Sequence, residues 1–110
     1  MRVHLIEKQT IQDYISSHAS GKSSFEFWLT IIKYADLETP ADIQKTFGSA
    51  DSLGHGTNRI VFDVGGNKYR MICKYHFGSS NVHLFVCWIG SHREYDELCK
   101  RREQYTICSY

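Results

Sequence analysis

"RIVFDVGGNKYRMICKYHF", residues 59–77, contains the pattern that decides the fold of this chain of 110 residues. Its first six residues place an apolar side chain at every second position, which is the period of a strand with one buried face. The Gly-Gly-Asn that follows is a hairpin turn signal. Strand-like runs occupy residues 59–64, 68–77 and 82–90. Three strands joined by short turns predict an antiparallel meander.

The N-terminal part of the chain predicts a short strand and two amphipathic helices. Residues 2–6 alternate like a strand, and apolar residues in 10–20 recur with the helical period. A second apolar helical stripe starts after Ser23, which stands at capping-box spacing from Glu26. In chain order, two helices are therefore expected before the meander, and one more helix follows it.

Capping residues mark the starts of two further helical segments. Thr39-Pro40 resembles a cap with proline at the first helical position, and predicts a short helical turn to about Phe47. Ser91 and Glu94 form a second capping box, which predicts a last helix from Ser91 to about Gln104. The predicted order is β-α-α-β-β-β-α in one α+β domain spanning residues 1–110. Helices are expected on one face of the sheet, with the other face open to water or ligand.

Composition narrows the class of protein. The chain is 42% hydrophobic and 14% aromatic, which fits a packed domain and excludes a disordered one. No apolar run approaches the about 18 residues of a membrane helix, and the N-terminus lacks the features of a secretory signal, so a cytoplasmic protein is expected. The four cysteines form no Cys-x-x-Cys pair, so we expect reduced thiols, no metal site and no cofactor.

Charge is unevenly distributed along the chain. Residues 1–53 hold five Lys/Arg and seven Asp/Glu, a net charge of −2, whereas residues 54–110 hold eight and five, a net charge of +3. Four of the six histidines also lie in this second half. The asymmetry does not establish nucleic-acid binding, but it indicates where an anion would bind.

The second strand of the meander concentrates cationic groups on one face. Side chains at even positions share a face of a strand, and here those positions hold Lys68, Arg70, Ile72, Lys74 and His76. The ordinary interpretation is a solvated outer face. A face that is merely soluble usually mixes lysine with acids, and this strand carries none, which favours an anion-binding surface.

A second concentration of polar groups lies at the start of the last helix. His92 and Arg93 would be its first two residues, where the helix dipole disfavours cations, and a bound phosphate would explain them. Tyr95 follows three residues after His92, on the same helix face. The alternatives are a neutral His92 packed at the strand end and a Tyr95 that simply packs in the core.

Together these segments resemble a known family. "VFDVGGN" at residues 61–67, Arg70 three residues later, and the closing "HREYD" at residues 92–96 are similar to the HigB-type toxins of bacterial toxin–antitoxin pairs, within the RelE superfamily. The resemblance covers roughly residues 58–98, and several residue types at fixed offsets make it stronger than a lone motif.

The resemblance implies an antiparallel sheet like that of microbial ribonucleases, and a small ribonuclease that cleaves mRNA on the translating ribosome. It also implies a cognate HigA-like antitoxin. Such a toxin would cut without a metal, through attack of the RNA 2′-hydroxyl on the adjacent phosphate. The rival hypothesis is a non-catalytic RNA- or ribosome-binding module of the same fold.

Within that hypothesis each candidate residue has a role. Arg70 is expected to clamp the phosphate, His92 to transfer a proton, and Tyr95 to donate to a phosphate oxygen or stack on a base. Contacts to the backbone of mRNA or ribosomal RNA are predicted for Arg59, Lys68, Lys74, His76 and Arg93. Strand geometry alone suggests Lys68 and His76, which lie outside the matched motif.

Overall fold

A computed structural model describes all 110 residues, as five strands and four α-helices. The elements in chain order are β1 (Arg2–Ile6), α1 (Lys8–Ser17), α2 (Lys22–Tyr34), α3 (Pro40–Phe47), β2 (Ala50–Ser52), β3 (Arg59–Val64), β4 (Tyr69–Phe77), β5 (Asn81–Ser91) and α4 (His92–Lys100). The predicted order lacks two of these elements, α3 as a full helix and the three-residue strand β2. None of the helices has the length and apolarity needed to cross a membrane.

The sheet is mixed, with strand order β1-β5-β4-β3-β2. The β3-β4-β5 meander is confirmed, and β2 adds to it in antiparallel orientation. The expectation of a wholly antiparallel sheet is wrong at one edge, because β1 pairs parallel to β5. Parallel neighbours need a long crossover connection, and the three N-terminal helices begin that crossover. Alternation identified β1 as a strand but carried no information about its partner.

One face of the sheet, here called the inner face, is covered by α1, α2 and α3. Its side chains from β3 are Ile60, Phe62 and Val64, all at most 2% exposed. The predicted apolar stripe of α2 packs on them: the Trp28 and Phe62 rings meet edge-on with centroids 5.2 Å apart. Burial of such large rings stabilises the fold, at about 25 cal/mol per Å² of apolar area.

The opposite face, here called the outer face, is covered in part by α4. Leu98 of α4 is 1% exposed and packs with Val61, Ile72 and Cys87, which point away from the inner face. The prediction that all helices lie on one face is therefore wrong. The physical reason is local: α4 begins directly at the last residue of β5, so no connection is available to carry it around to the inner face.

Residues 101–110, the C-terminal tail, complete this cover. The Arg59 guanidinium donates to the carbonyl oxygens of Ile107 at 2.7 Å and Gln104 at 3.3 Å. The Ser109 amide donates to the carbonyl oxygen of Cys87 at 2.8 Å, just beyond Phe85, where the β1 pairing ends. The tail therefore satisfies backbone and side-chain groups that the sheet leaves unpaired.

The two ends of α4 follow from its sequence. The Ser91 hydroxyl accepts from the Glu94 amide at 3.1 Å, and the Glu94 carboxylate accepts from the Ser91 amide at 2.7 Å, which confirms the predicted capping box. The helix ends at Lys100, before the predicted Gln104, since Arg102 adopts a left-handed conformation with φ of 56°.

Candidate active site

The corner where β4, β5 and α4 meet is shaped by a glycine. Gly90 lies opposite Arg70 in the β4–β5 register, and both are on the outer face. The Trp88 ring folds over Gly90 so closely that a Cβ atom there would lie 2.4 Å from two ring carbons. Gly90 therefore has to lack a side chain, and the indole forms a wall beside Arg70.

Arg70 is held in this corner by an acid from the neighbouring strand. Its Nε lies 3.0 Å from Asp63 Oδ1, and the two residues are cross-strand partners. Its Nη1 has only long contacts, 3.4 Å to the Tyr69 carbonyl and 3.5 Å to that of Gly66. Nη2 makes no hydrogen bond within the chain. Arg70 is 9% exposed, so the guanidinium is oriented by the fold, with Nη2 left unpaired.

Tyr95 reaches the same corner from α4. Its ring is tilted against Trp88 with centroids 6.1 Å apart, and the residue is half-buried. Burial raises the pKa of the Tyr95 phenol, a hydrogen bond with Cys99 raises it further, and the positive charge of Arg70 opposes the rise. The phenol is consequently protonated at neutral pH, so it can donate a hydrogen bond but cannot serve as a base.

His92 lies at the mouth of the corner, with 46% of its side chain exposed. Its backbone amide donates to the Lys68 carbonyl at 3.1 Å, which ties the β3–β4 turn to the start of α4. Its Nε2 is 3.8 Å from Asp96 Oδ2, one helical turn further on. A protonated His92 would therefore have a carboxylate nearby, which offsets the unfavourable helix dipole at this position.

Arg93 does not join this corner. It lines a cleft of about 320 Å³ with Trp88 and Ile107, on the side of α4 that also carries Glu97 and Arg101. Consecutive residues of an α-helix are about 100° apart, so neighbours in sequence such as His92 and Arg93 point to different sides. Helical spacing therefore places His92 and Tyr95 on one side of α4 and Arg93 on another.

The remaining predicted RNA contacts are dispersed. Arg59 Nη1 donates to two carbonyls of the tail, so we place Arg59 outside the corner. Lys68 lies in the β3–β4 turn rather than on the strand, and its side chain is exposed beside His92. Lys74 and His76 do share the outer face with Arg70. They lie at the far end of β4, beyond the part that α4 covers.

The sequence interpretation missed three residues that shape the corner: Asp63, Trp88 and Gly90. A usable signal existed for Asp63. The turn between Val64 and Tyr69 is symmetric, and continuing its pairing by one residue sets Asp63 opposite Arg70. No comparable signal existed for Trp88, because the fold of its ring over Gly90 depends on three-dimensional packing.

No group of three His, Cys, Asp or Glu side chains is arranged to hold a metal ion, and all four cysteines are free. Cys73 and Cys87 are buried, and burial raises the pKa of both thiols. The chemistry available in the corner is therefore that of a fixed guanidinium, a neutral phenol and an exposed imidazole.

Comparison with known proteins assigns the chain to a family. A profile of HigB toxins, described as the RelE-like toxic component of a toxin–antitoxin system, matches residues 21–98. The chain is 29% identical to "mRNA interferase HigB" of Escherichia coli O6:H1 over 98 residues, covering 89% of this chain and 93% of that protein. It is 24% identical to "mRNA interferase toxin HigB" of Escherichia coli K12, covering 86% of this chain and 88% of that protein. The matched region contains the whole corner, and the chain belongs to the HigB family of RelE-like toxins.

Proposed function

We propose that this chain is an endoribonuclease toxin that cuts mRNA, with Arg70, His92 and Tyr95 in its active site. Family membership and the mRNA interferase names of its relatives support the activity. The observation that carries the site assignment is the free edge of the Arg70 guanidinium beside the protonated Tyr95 phenol. Both groups are hydrogen-bond donors at the same corner of the sheet, which suits the oxygens of a phosphodiester.

The proposed reaction is attack of an RNA 2′-hydroxyl on the adjacent phosphorus. The new O–P bond forms as the bond to the 5′-oxygen breaks, leaving a 2′,3′-cyclic phosphate on one product and a 5′-hydroxyl on the other. The nucleophile loses a proton and the leaving oxygen gains one. Charge that develops on the non-bridging oxygens requires cationic or hydrogen-bonding partners.

Each residue of the corner has a part in that reaction. Arg70 binds the non-bridging oxygens through Nη2 and Nη1, and Asp63 keeps its orientation fixed. Tyr95 donates its phenolic proton to the phosphate or stacks on a base. His92 is exposed at the mouth and transfers a proton, since imidazole ordinarily titrates near neutral pH. Lys68, next to it, holds the RNA backbone.

The setting of the reaction is also proposed. The family implies an antitoxin that holds the toxin inactive, and we propose a HigA-like protein in that role. We further propose that the toxin acts in the cytoplasm on mRNA bound to the ribosome, with ribosomal RNA completing the contacts. Such dependence fits the corner, because its buried phenol cannot serve as a base and a bound partner can supply a group that the free chain lacks.

The test combines expression in a bacterium with a purified assay. Wild type and Arg70→Ala, His92→Ala and Tyr95→Phe are induced, and growth and mRNA cleavage sites are measured. We expect wild type to arrest growth, and Arg70→Ala to lower cleavage by about 10²–10³-fold. The purified toxin is assayed with and without ribosomes and with a chelator, and product ends are identified chemically. A wild type that neither slows growth nor cuts RNA would contradict the proposed function.

The rival candidate is a non-catalytic RNA- or ribosome-binding module. One observation favours it: the Arg70 guanidinium is mostly buried and already paired with Asp63. The two candidates differ in product, because only the enzyme yields cut RNA. If ribosome binding persists while no 2′,3′-cyclic phosphate forms, the rival is correct. If cutting occurs and all three variants retain it, the activity stands and the site lies elsewhere.

A further inference from the structure

The outer face has a second exposed region, here called the open strip. It consists of two rows that cross three neighbouring strands. One row contains Lys74, Phe85 and Ile6, and the other contains His76, His83 and His4. Each row has one residue from β4, one from β5 and one from β1, paired directly across the sheet.

The open strip is not explained by folding. All six side chains point away from the inner face, since their strand neighbours such as Leu5, Tyr75 and Leu84 pack in the main core. The cover formed by α4 and the tail ends around Ile72 and Cys87. Phe85 is consequently 39% exposed in the middle of the sheet. It is unusual for a large aromatic ring on the face of a sheet to expose so much apolar area to water.

The charges of the open strip have one sign. None of its six residues is acidic, and Lys74 makes no ion pair. The His83 ring contacts both other imidazoles, with centroids 6.1 Å from His76 and 5.5 Å from His4. The flanking register positions on the neighbouring strands hold Arg59 and Arg2, whose guanidinium groups donate to backbone carbonyls of the tail and of Lys33, and the neutral Asn81. Glu7, directly after β1, brings a carboxylate to this edge.

We propose that the open strip binds single-stranded RNA, with a base stacked on Phe85 and phosphates bound by Lys74 and the histidines. The proposal rests on the RNA-cutting function above and names a substrate contact for it. Exposed aromatic rings on a sheet, interleaved with cations, are how proteins hold unpaired bases. Duplex RNA does not fit this chemistry, because its bases are stacked on each other and cannot lie on Phe85.

The open strip would bind nucleotides away from the cut. Arg70 and Lys74 are four residues apart on the same strand, a separation of about 13 Å. Between them lies Ile72, which is fully buried under the α4 cover. Contacts at the open strip therefore contribute to RNA affinity, while the chemical step depends on the corner. Variants of the two regions should separate binding from cleavage.

The experiment measures binding of wild-type protein to a short unstructured RNA with 2′-O-methyl groups, which blocks 2′-hydroxyl attack. We expect Phe85→Ala to weaken binding about 5- to 100-fold, the range for losing one base–aromatic stack. Phe27→Ala is the matched control, because Phe27 is 69% exposed but lies on α2, outside the open strip. Phe85→Leu, with circular dichroism on every variant, keeps the test valid if Phe85→Ala unfolds.

Salt dependence provides an independent measurement. Lys74→Gln should lower the slope of log K against log salt by about 0.7, the value for one phosphate contact to a single strand. His83→Gln, between the other two histidines, should also weaken binding, because it removes an imidazole that donates to phosphate. Co-sedimentation with ribosomes, measured beside binding to the short RNA, distinguishes mRNA from ribosomal RNA as the single strand that is bound.

The outcomes separate this proposal from the proposed function. The open-strip proposal is wrong if the Phe85 and Phe27 variants bind RNA with equal affinity, or if the protein prefers a duplex of the same sequence. If wild type binds RNA through Phe85 but yields no cut product, the open strip stands and the nuclease proposal fails. If Phe85→Ala cuts with unchanged kcat and a raised KM while Arg70→Ala loses kcat, both stand.

Discussion

The two faces of the sheet are built from the same strands but differ in how they are covered. The inner face is continuous: three helices cover it, and its contact residues are apolar almost without exception. The outer face is interrupted, with α4 and the tail over one part and the open strip beside it. One β4 strand thus contributes Met71 and Cys73 to a sealed core and Arg70 and Lys74 to the outer face. Stability is concentrated on one face, which frees the other for polar groups.

The two buried arginines of the outer face show the same division on a smaller scale. Arg59 is 8% exposed and Arg70 is 9% exposed. Arg59 donates to two backbone carbonyls of the tail and so serves the fold. Arg70 is paired with a single carboxylate and retains a free Nη2. Each arginine leaves Nη2 without a hydrogen bond, so the two differ in their partners: Arg59 Nη1 donates to two carbonyls of the tail, whereas Arg70 Nε pairs with a carboxylate.

The largest expected difference between the faces is in core packing. Phe62→Ala on the inner face should lower the free energy of unfolding by about 3–5 kcal/mol, the usual result of deleting a buried ring. Phe85→Ala on the outer face should cost less than about 1 kcal/mol, since the ring is already partly in water. Urea denaturation of both variants measures the two values. Equal losses would refute the assignment of stability to the inner face.

The next prediction concerns the tail, which covers part of the outer face as the helices cover the inner one. Deleting residues 105–110 removes the Ile107 side chain from the outer cluster and one of the two Arg59 acceptors. We expect a loss of about 2–3 kcal/mol, the sum of one buried apolar side chain and one hydrogen bond to a charged group. The companion variant Arg59→Gln should lose less, and its effect should largely disappear in the truncated chain, as a double-mutant cycle would show.

The Arg70–Asp63 pair tests whether the corner is built for stability or for binding. Asp63→Asn removes the carboxylate but leaves the guanidinium, so we expect a stability loss of about 1–2 kcal/mol at this partly exposed pair. Cleavage should fall much less than in Arg70→Ala, because the arginine donors remain. Cleavage and urea denaturation are measured on the same samples. If Asp63→Asn abolishes cleavage while leaving stability unchanged, the carboxylate itself takes part in the reaction.

Local patterns in the sequence predicted a large part of this division. Alternation located all three meander strands, and the boundary between β4 and its turn was missed by only one residue, Lys68. The α4 capping box formed as predicted, but the one proposed at Ser23 did not, because α2 begins one residue earlier, at Lys22, behind Gly21. Capping signals fix a start only where packing does not impose another.

Features that depend on chain crossings could not be predicted from the same patterns. The parallel pairing of β1, the placement of α4 on the outer face and the tail contact of Arg59 all join residues far apart in sequence. The candidate site divides the same way. His92 and Tyr95 were assigned to one helix face from spacing alone, whereas the ring of Trp88 over Gly90 and the displacement of Arg93 appear only in three dimensions.

The smallest expected effect is on the pH dependence of stability, and it compares one tyrosine from each face. Burial raises the pKa of Tyr14, on the inner side, to about 12, and burial likewise raises the pKa of Tyr95 on the outer side. A raised folded-state pKa means that the folded chain holds its proton longer than the unfolded one. Stability is therefore full below about pH 10, the ordinary tyrosine pKa, and falls as the pH rises above it. Tyr14→Phe and Tyr95→Phe should each reduce that alkaline fall in a urea titration.

At pH 8 the same two variants should differ only in activity. Both phenols are protonated there, so replacing either by phenylalanine removes a hydroxyl without changing charge. Tyr14→Phe should cut RNA like wild type, since its ring is stacked on His18 with centroids 3.9 Å apart, on the inner side of the sheet. Tyr95→Phe should cut more slowly, because it loses a donor to the phosphate. Equal cleavage by both variants would assign Tyr95 to packing, and the outer face would then rely on Arg70 and His92 alone.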